Sequence, residues 1–525
     1  MSQSLPTPMV LAPAERSIGT YIEESWSFLE RSVEHLVEAA ADPKLGERAR
    51  YPVFLSADEG REAVCQRLSE ALGPDALERI ELRSLPADVK IHPQLAGGIE
   101  AHGLLYLPHP YIVPGGRFNE MYGWDSYFIN LGLLAAGRVE QAQRMVDNHL
   151  YQVRHYGRVL NANRTYYLTR TQPPFLASMV ADVYRRTGDQ SWVTGALLEL
   201  EDTYRFWTSE PHLTPTTGLS RYHDLGHGPA DEVLASEKDE LGLTHYDRIQ
   251  AEFRILLALS PESQEELLGY PLGLYYDASS DRLTDLFYLG DRSMRESGFD
   301  PSDRFGRFNV DVTFFNPVDL NSLLYAYELE MGRLLEQVGR GPESGQWRQR
   351  AILRAQAMHR HLWDADSGYF FDFNTRTGQR RNYPFATTFF PLWTGWATAG
   401  QAAAVHGHLE AFLEAGGMST SLHVSGNQWD APYGWAPLQL AAVEGLSRYG
   451  YHRSADRVAE AFVSMVEQEH QRCGTILEKY DVVRRTAEVS EGISFGYSSN
   501  EIGFGWTNGV YLLLKRRLAE TPHAL

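Results

Sequence analysis

The stretch PGGRFNEMYGWDSY, residues 114–127, places an arginine, two carboxylates and four aromatic rings directly after a Pro-Gly-Gly turn. It also opens the most regular part of the chain. From about residue 124 onward, apolar residues recur every three or four positions, which is the spacing of helices with one buried face. Segments with this spacing cover residues 124–137, 139–154, 173–187, 191–208, 245–259, 318–337, 344–363, 385–397, 400–414, 433–449, 453–468 and 505–519.

Long connections rich in Gly, Pro and Asp join several of these segments, at residues 209–235, 263–317, 415–432 and 470–504. About twelve helices with few strand signals predict an all-α fold, an (α/α)6 barrel, which is a closed ring of helical hairpins. An irregular α-superhelix is the alternative. Because the long loops hold most of the unusual polar residues, we expect the functional site at the loop end of the barrel.

The N-terminal part of the chain has a different pattern. Residues 17–41 have helical spacing, whereas Tyr51–Leu55 and Gly103–Leu107 are candidate strands in a region rich in Pro and Gly. We therefore expect residues 1–100 to form a helix and an extended lead-in that pack on a catalytic barrel of residues 101–525.

Composition limits the classes of partner. The formal net charge of -20 argues against nucleic acid and anionic membranes as partners. The two cysteines, Cys65 and Cys473, make a disulfide framework unexpected, and no zinc-type spacing occurs. The N-terminus lacks a signal-peptide pattern and no apolar run reaches about 18 residues, so a cytoplasmic protein without membrane spans is expected. Composition gives no indication of oligomeric state.

A second stretch, QWDAPYGWAP at residues 428–437, has the same character as residues 114–127. Flat rings bind the C–H faces of a sugar, and charged or amide groups bind its hydroxyls, so the two stretches predict a single sugar pocket. Asp125 has an alternative role as a helix N-cap. In the strip at residues 161–174, Asn161, Arg170 and Gln172 either satisfy loop backbone or contact sugar hydroxyls.

Two further carboxylates stand in segments suited to acid–base chemistry. Asp300 follows Ser-Gly-Phe in a tight turn, and Glu478 emerges from the apolar triplet at residues 475–477. Inverting glycoside hydrolysis requires an acid that protonates the leaving oxygen and a base that activates water, roughly 6.5–9.5 Å apart, whereas the retaining pair lies about 5–5.5 Å apart. This chemistry needs no metal or cofactor, and none of the phosphate-loop, dinucleotide or HExxH motifs is present.

Together these motifs resemble the trehalases of glycoside hydrolase family 37. Residues 114–127 fit the family signature PGGRFxExYxWDxY, and residues 428–437 fit QWDxPxGWAP. The similarity continues through residues 161–174, 296–300, 478–482 and 503–509, and so covers the chain from about residue 105 onward.

The resemblance implies an (α/α)6 barrel, an inverting mechanism and no cofactor. It places the general acid at Asp300 and the general base at Glu478. The positions that it implies for binding a small α-glucoside are Arg117, Phe118, Tyr122, Trp124, Asp125, Asn161, Arg170, Gln172, Glu232, Gln428, Trp429, Asp430, Tyr497 and Trp506.

Two segments depart from the family pattern. Where trehalases carry a PRPE-type segment, this chain reads PADE at residues 229–232, with Ala230 in place of the arginine. In the run before Gly503, Tyr497 stands where the family has a glutamate, and Glu491 and Glu501 are displaced. Residues 485–502 are also expected to form a lid over the site.

In the family, the missing arginine and glutamate help to close the pocket around the leaving sugar. A site that loses hydrogen-bonding partners changes its specificity strongly. The sequence therefore favours an inverting hydrolase of small α-glucosides with an altered leaving-group subsite, with glucosylglycerol, a compatible solute, as the substrate. The alternatives are an α,α-trehalase, in which Glu491 or Glu501 replaces the missing carboxylate, and a non-catalytic sugar-binding protein on the same fold.

Overall fold

The computed structural model describes residues 14–42, 44, 46–236, 242–489, 493 and 500–520. Within these residues the α-helices are α1 (Ile18–Phe28), α2 (Leu36–Ala40), α3 (Arg61–Ala71), α4 (Pro74–Glu78), α5 (Asp125–Ala135), α6 (Val139–Tyr156), α7 (Leu176–Thr187), α8 (Gln190–Trp207), α9 (Asp231–Ser236), α10 (His245–Leu256), α11 (Pro261–Leu268), α12 (Asp285–Glu296), α13 (Val318–Gln337), α14 (Gly341–His361), α15 (Phe390–Thr394), α16 (Ala399–Gly407), α17 (Leu409–Phe412), α18 (Ala436–Arg448), α19 (His452–Cys473) and α20 (Gly505–Glu520).

The strands within the same described residues are short. They are β1 (Glu30–Arg31), β2 (Tyr51–Leu55), β3 (Ile80–Ser84), β4 (Leu104–Leu105), β5 (Tyr111–Ile112), β6 (Leu213–Thr214), β7 (Leu219–Ser220), β8 (Tyr276–Asp277), β9 (Arg282–Leu283), β10 (Phe315–Asn316), β11 (Trp363–Asp364), β12 (Tyr369–Phe370), β13 (Phe373–Asn374), β14 (Gln379–Arg380), β15 (Leu413–Glu414), β16 (Gly417–Met418), β17 (Tyr433–Trp435) and β18 (Lys479–Asp481). Twelve of the eighteen form two-stranded antiparallel pairs, of which β6–β7, β8–β9, β11–β12 and β15–β16 are hairpins in the connections between helices.

The helices form two concentric rings. In the inner ring, α5 packs on α7, α7 on α13, α13 on α15, α15 on α18, α18 on α20, and α20 returns to α5. The outer helices cover this ring: α6 packs on α5 and α7, α8 on α7 and α13, α14 on α13, α19 on α18 and α20, and α1 on α20. Inner and outer helices alternate along the chain, so the architecture is the (α/α)6 barrel that the helical spacing predicted.

The contact that closes the inner ring, between α5 and α20, depends on two glycines. A Cβ on Gly509 would lie 2.3 Å from the carbonyl oxygen of Phe128, and a Cβ on Gly132 would lie 2.5 Å from the Cα of Gly509. Any side chain at either position would therefore separate the two backbones. Gly509 ends the GFGWTNG segment, and this contact explains why that segment ends in glycine.

The predicted helical segments coincide with helices of the structure at most positions. The prediction that residues 263–317 form a long connection was wrong. This segment contains α11 and the twelve-residue helix α12. The buried face of α12 includes Asp291, Arg292, Ser293 and Glu296. Phe287 and Met294 are the large apolar side chains that this helix buries, so its apolar stripe is short and the segment was read as a connection.

The N-terminal part of the chain adds a small parallel sheet in the order β3-β2-β4. Its core is separate from the core of the barrel. Arg164, which is fully buried, fastens residues 39–41 to the barrel: its guanidinium donates to the carbonyl oxygens of Ala39, Ala40 and Ala41 at 2.8–3.1 Å, and its Nε donates to Glu120 at 2.6 Å. None of the helices in the described part of the chain has the length and apolar character needed to cross a membrane.

Candidate active site

Four of the sequence signatures adjoin the N-termini of inner-ring helices. Residues 114–127 run into α5, residues 161–174 precede α7, residues 428–437 run through β17 into α18, and residues 503–509 open α20. Because the inner helices start at the same end of an alternating double ring, the four signatures gather at one mouth of the barrel. This is the loop end at which the sequence placed the site.

Aromatic rings from distant segments meet beneath this mouth. The ring of Trp124 lies 5.8 Å from that of Trp429, 5.5 Å from that of Trp506 and 5.4 Å from that of Phe299, measured between centroids. Trp429 in turn stacks on Trp435 at 3.9 Å. These contacts fix the indoles in edge-to-face and stacked arrangements, so they form a rigid apolar floor.

Asp300 lies in the turn that follows α12. This helix ends at Glu296, and Gly298 then adopts a φ of +78°, which only glycine adopts readily. A Cβ at Gly298 would also lie 2.8 Å from the indole of Trp124, so the turn packs directly on the aromatic floor. The Asp300 side chain is only partly buried. The turn therefore presents this carboxyl group at the edge of the floor.

The second signature holds this turn in place. The side-chain amide of Gln428 donates to the carbonyl oxygen of Asp300 at 2.5 Å, and the N–H of Trp429 donates to the carbonyl oxygen of Pro301 at 3.1 Å. Both contacts involve the backbone around Asp300, so they fix the position of this residue through its main chain and not through its carboxyl group.

Asp430 completes the attachment from a fully buried position. Its carboxyl oxygens accept hydrogen bonds from the hydroxyls of Tyr383, Ser421 and Ser425 at 2.6–2.8 Å and from the N–H of Asp303 at 3.0 Å. Burial raises the pKa of Asp430 to about 7, although these donors oppose the shift. The protein itself thus engages both oxygens of Asp430, and its role toward a sugar remains a prediction.

Glu478 lies on the opposite side of Gln428, immediately before β18, and is almost fully buried. Its N–H donates to the carbonyl oxygen of Glu501 at 3.0 Å, and its carbonyl oxygen lies 3.4 Å from the indole nitrogen of Trp506. The next residue, Lys479, places its ammonium 3.6 Å from the Glu478 carboxylate and 2.9 Å from Oε1 of Gln428. A buried carboxylate beside a buried ammonium is suited to proton transfer with water.

Asp125 begins α5 and points into the same region. Burial raises the pKa of Asp125 well above its ordinary value, and the charges of Glu478 and Asp300 raise it further. Because both of these charges act on it, Asp125 lies near the two carboxylates that the sequence assigned to catalysis. No side-chain capping bond forms at this helix end, since the N-cap residue is Trp124.

We expect Asp125→Asn to stabilise the fold at alkaline pH while lowering kcat/KM. An acid whose folded pKa is raised favours the folded state only in its protonated form, so wild-type stability falls as pH rises above the unfolded pKa of about 3.8 toward the folded value. Asparagine has no such dependence. The difference in Tm between variant and wild type should be small at pH 4 and clearly positive at pH 8; a Tm difference independent of pH would contradict the raised pKa.

The rim of the site includes the first signature and the segment before α20. Arg117 is about half exposed, and its Nε lies 2.9 Å from Oε1 of Glu501. Its guanidinium also lies over the ring of Phe118, which contacts the rings of Tyr122 and Phe504 edge to face. The displaced glutamate at 501 is thus drawn into the site by an ion pair.

Residues 161–174 support the floor from a neighbouring position. Oε1 of Gln172 accepts the N–H of Trp124 at 2.9 Å. The carbonyl oxygen of Asn161 accepts the N–H of Gly123 at 3.1 Å, and its N–H donates to the carbonyl oxygen of Arg170 at 2.9 Å. Gln172 therefore positions Trp124, whereas the backbone of Asn161 joins residues 161–174 to the first signature, residues 114–127.

Arg170 is buried and engaged by carboxylates. Its Nε donates to Asp224 at 2.9 Å, and its Nη1 donates to Glu232 at 2.5 Å. Burial would raise the pKa of Glu232, but Arg170 and Arg295 lower it overall, so Glu232 stays ionised. The segment of residues 229–232, where the chain departs from the family, is therefore tied to residues 161–174 by a buried ion pair.

Sequence reasoning missed Lys479, which lies beside Glu478, and Asp224, which pairs with Arg170. Lys479 follows Glu478 in the chain, and a buried lysine beside a carboxylate could have been suspected from the apolar residues before it. Nothing in the sequence pairs Asp224 with Arg170. Tyr497, Glu491 and half of the expected lid lie outside the described residues. Among the described residues, no group of three or more His, Cys, Asp or Glu side chains could hold a metal ion.

A helical double ring with buried carboxylates above an aromatic floor defines a barrel of the carbohydrate-active class. The chain belongs to the trehalase family, whose profile matches residues 78–518. It is 37% identical over 444 residues to the cytosolic neutral trehalase of Emericella nidulans, and the aligned region covers 77% of this chain and 57% of that protein. It is 33% identical over 559 residues to a probable trehalase of Saccharomyces cerevisiae, covering 95% of this chain and 69% of that protein.

Solved structures agree with this assignment. Neutral trehalase Nth1 from Saccharomyces cerevisiae superposes with a TM-score of 0.77 at 30% identity, covering 97% of this chain and 95% of that one. A GH63 mannosylglycerate hydrolase from Thermus thermophilus, with a TM-score of 0.51 at 17% identity over 77% of this chain and 96% of that one, shares the fold. The matched region spans little more than half the length of the first curated relatives, 57% for the Emericella nidulans protein.

Proposed function

We propose that the protein is an inverting α,α-trehalase that hydrolyses trehalose to two glucose molecules. The observation that carries the proposal is that the side chain of Gln428, next to the floor residue Trp429, joins the segments of Asp300 and Glu478 at one mouth of the barrel. Membership of the trehalase family and the trehalase names of its relatives favour trehalose over glucosylglycerol, the substrate that the sequence favoured.

The ion pair between Glu501 and Arg117 supports the same substrate. Sequence reasoning preferred glucosylglycerol because Tyr497 replaces a family glutamate. Glu501 supplies a carboxylate that is nearly buried at the rim of the site, and its backbone is bonded to Glu478. In this proposal Glu501 takes over the contact with the leaving sugar, so the hydroxyls of a second glucose can still be bound.

In the proposed mechanism Asp300 is the general acid and Glu478 is the general base. Asp300 protonates the glycosidic oxygen as the bond to the anomeric carbon breaks. Glu478 takes a proton from the water that attacks the opposite face, and the anomeric configuration inverts. Burial and the charges of Glu478 and Asp300 raise the pKa of Asp125, which favours its protonated form; in that form it can donate a hydrogen bond to a sugar hydroxyl without adding charge.

The other predicted sugar contacts can be assigned to the two sides of the bond that breaks. Trp124, Trp429 and Trp506 supply ring faces for the glucose that is attacked, whereas Arg117 and Glu501 border the side of the leaving group. The residues that position the others from behind are Gln172, Gln428 and Asp430. We also propose a cytosolic location, because several of the relatives are named as cytosolic enzymes; cell fractionation would test it.

The test is a direct comparison of trehalose and glucosylglycerol, followed by proton NMR in the first minutes. Inverting hydrolysis of trehalose releases one β-glucose and one α-glucose before mutarotation, whereas a retaining enzyme would release α-glucose alone. We expect a higher kcat/KM for trehalose and equal initial amounts of the two anomers. Faster turnover of glucosylglycerol, or initial α-glucose alone, would overturn the assignment of substrate or mechanism respectively.

Glucosylglycerol remains the second candidate because of Ala230. Its side chain is fully buried in an apolar cluster with Val233 and Tyr246. The arginine that the family has at this position is absent, and the neighbouring Glu232 is engaged by Arg170. A leaving group with fewer hydroxyls than glucose would lose less from this change, and the same kinetic comparison decides between the two substrates.

A further inference from the structure

The side chain of Gln428 joins the two catalytic segments. Its Nε2 donates to the carbonyl oxygen of Asp300 at 2.5 Å, and its Oε1 accepts from the ammonium of Lys479 at 2.9 Å. Gln428 is almost fully buried, so these bonds are shielded from water. One amide therefore spans the distance between the turn of the proposed acid and the strand of the proposed base.

The ammonium of Lys479 is fully buried and contacts the amide of Gln428, the carboxylate of Glu478 and the ring of Trp435. It lies 3.6 Å from the carboxylate of Glu478 and 5.5 Å from the centroid of Trp435. Burial lowers the pKa of Lys479 to about 8; Glu478 and Glu501 raise it, and Arg117 lowers it. The ammonium is thus charged at neutral pH and loses its charge in a mildly alkaline range.

The backbone of Lys479 is held independently of this ammonium. Its N–H donates to the side-chain carbonyl of Asn500 at 3.2 Å, and its carbonyl oxygen accepts from the side-chain amide of Asn500 at 2.8 Å. Lys479 also pairs with Trp435 in the two-stranded sheet of β17 and β18. Removing the charge should therefore leave the strand in place, which separates the role of the ammonium from that of the backbone.

We propose that Lys479 and Gln428 are positioning residues, which hold the proposed base Glu478 at a fixed separation from the turn of the proposed acid Asp300. The proposal rests on the proposed hydrolase function. The Lys479 ammonium lies 3.6 Å from the Glu478 carboxylate, and the Gln428 amide connects this ammonium to the backbone of Asp300. A general base must be held within reach of the attacking water, so loss of this link should displace Glu478 from its working position.

The experiment compares pH profiles of kcat and kcat/KM for Lys479→Met, Lys479→Arg and wild type, with Lys515→Met as control. Lys515 is about half exposed and pairs with Glu467 at 2.8 Å, so its loss removes an ion pair far less buried than that of Lys479. We expect Lys479→Met to lower kcat by about 10²-fold at pH 6, the size of a general-base contribution. KM should change little, because the sugar contacts remain while the proposed base is displaced.

Lys479→Arg retains a charge that does not titrate below about pH 12, so its alkaline limb should lie above the wild-type limb. Gln428→Met should lower kcat with little change in KM, and its effect should not add fully to that of Lys479→Met, because both remove the same link. Lys515→Met should match wild type in every profile.

A Lys479→Met enzyme with the wild-type kcat would overturn the proposal, as would full additivity of the Lys479 and Gln428 effects. If Lys479→Met does not fold, an unchanged alkaline limb in Lys479→Arg overturns it instead. Failure of the hydrolase assignment looks different, because wild type would then turn over neither trehalose nor glucosylglycerol.

Discussion

Replacing Glu478 with glutamine, or Asp300 with asparagine, is expected to lower kcat for trehalose by a factor of about 10²–10⁴. Each variant keeps the size of the side chain and removes its ability to exchange a proton. Because Glu478 is buried beside Lys479, bulk water cannot act as the base in place of the lost carboxylate. The assay is initial glucose release, with circular dichroism to show that the fold is retained.

A second substrate separates the two roles. α-Glucosyl fluoride has a leaving group that needs no protonation, so Asp300→Asn should regain much of its activity on it, whereas Glu478→Gln should not. Asp285→Asn serves as control, because Asp285 is an exposed carboxylate at the start of the same helix, α12, that leads to Asp300. Equal recovery of both variants on the fluoride would contradict the assignment of acid and base.

The largest expected effect on stability is that of Arg304→Met. Arg304 is fully buried; its guanidinium binds both oxygens of Asp372 at 2.6 Å and one oxygen of Asp319 at 2.6 Å. Removing one partner of a buried ion pair costs about 3–5 kcal/mol, because the remaining charge stays buried without compensation. Here two carboxylates lose a shared cation, so the free energy of unfolding should fall by at least that amount.

Urea unfolding followed by tryptophan fluorescence would measure this change. The control is Arg516→Met, which removes an exposed pair with Glu520 on the last helix, and it should leave the unfolding midpoint unchanged. Because Arg304 also packs against the rings of Phe299 and Phe385, the variant should show altered aromatic circular dichroism. An unfolding midpoint within error of wild type would refute the role of this buried network.

The positions of the barrel helices could be predicted because their buried faces are apolar. Helix α13 illustrates this, since Leu320, Leu323 and Leu324 face the core. Helix α12 was missed because its buried face mixes the apolar Phe287 and Met294 with four polar or charged residues, Asp291, Arg292, Ser293 and Glu296. Periodicity of apolar residues reports burial in apolar surroundings only, so a helix that carries part of a polar site is not detected.

The site was predictable as a set of residue types but not as a set of contacts. Trp124, Trp429 and Trp506 meet as a floor, as clustered aromatic residues in sugar-site signatures indicate. Asp430 belongs to the same signature, yet its oxygens accept four hydrogen bonds from the protein. Which segment receives a given carboxylate depends on the path of the chain, and spacing along the sequence does not contain that information.

The attachment of residues 39–41 to Arg164 has a consequence for how this region can vary. Arg164 donates to three main-chain carbonyl oxygens, which every amino acid provides, and not to any particular side chain. The hydrogen bonds therefore do not depend on which side chains stand at residues 39–41. Packing does limit them, because Ala39 and Ala40 are buried in the N-terminal core, where only small residues fit. A chimera that exchanges this segment should keep the brace as long as small residues occupy the two buried positions.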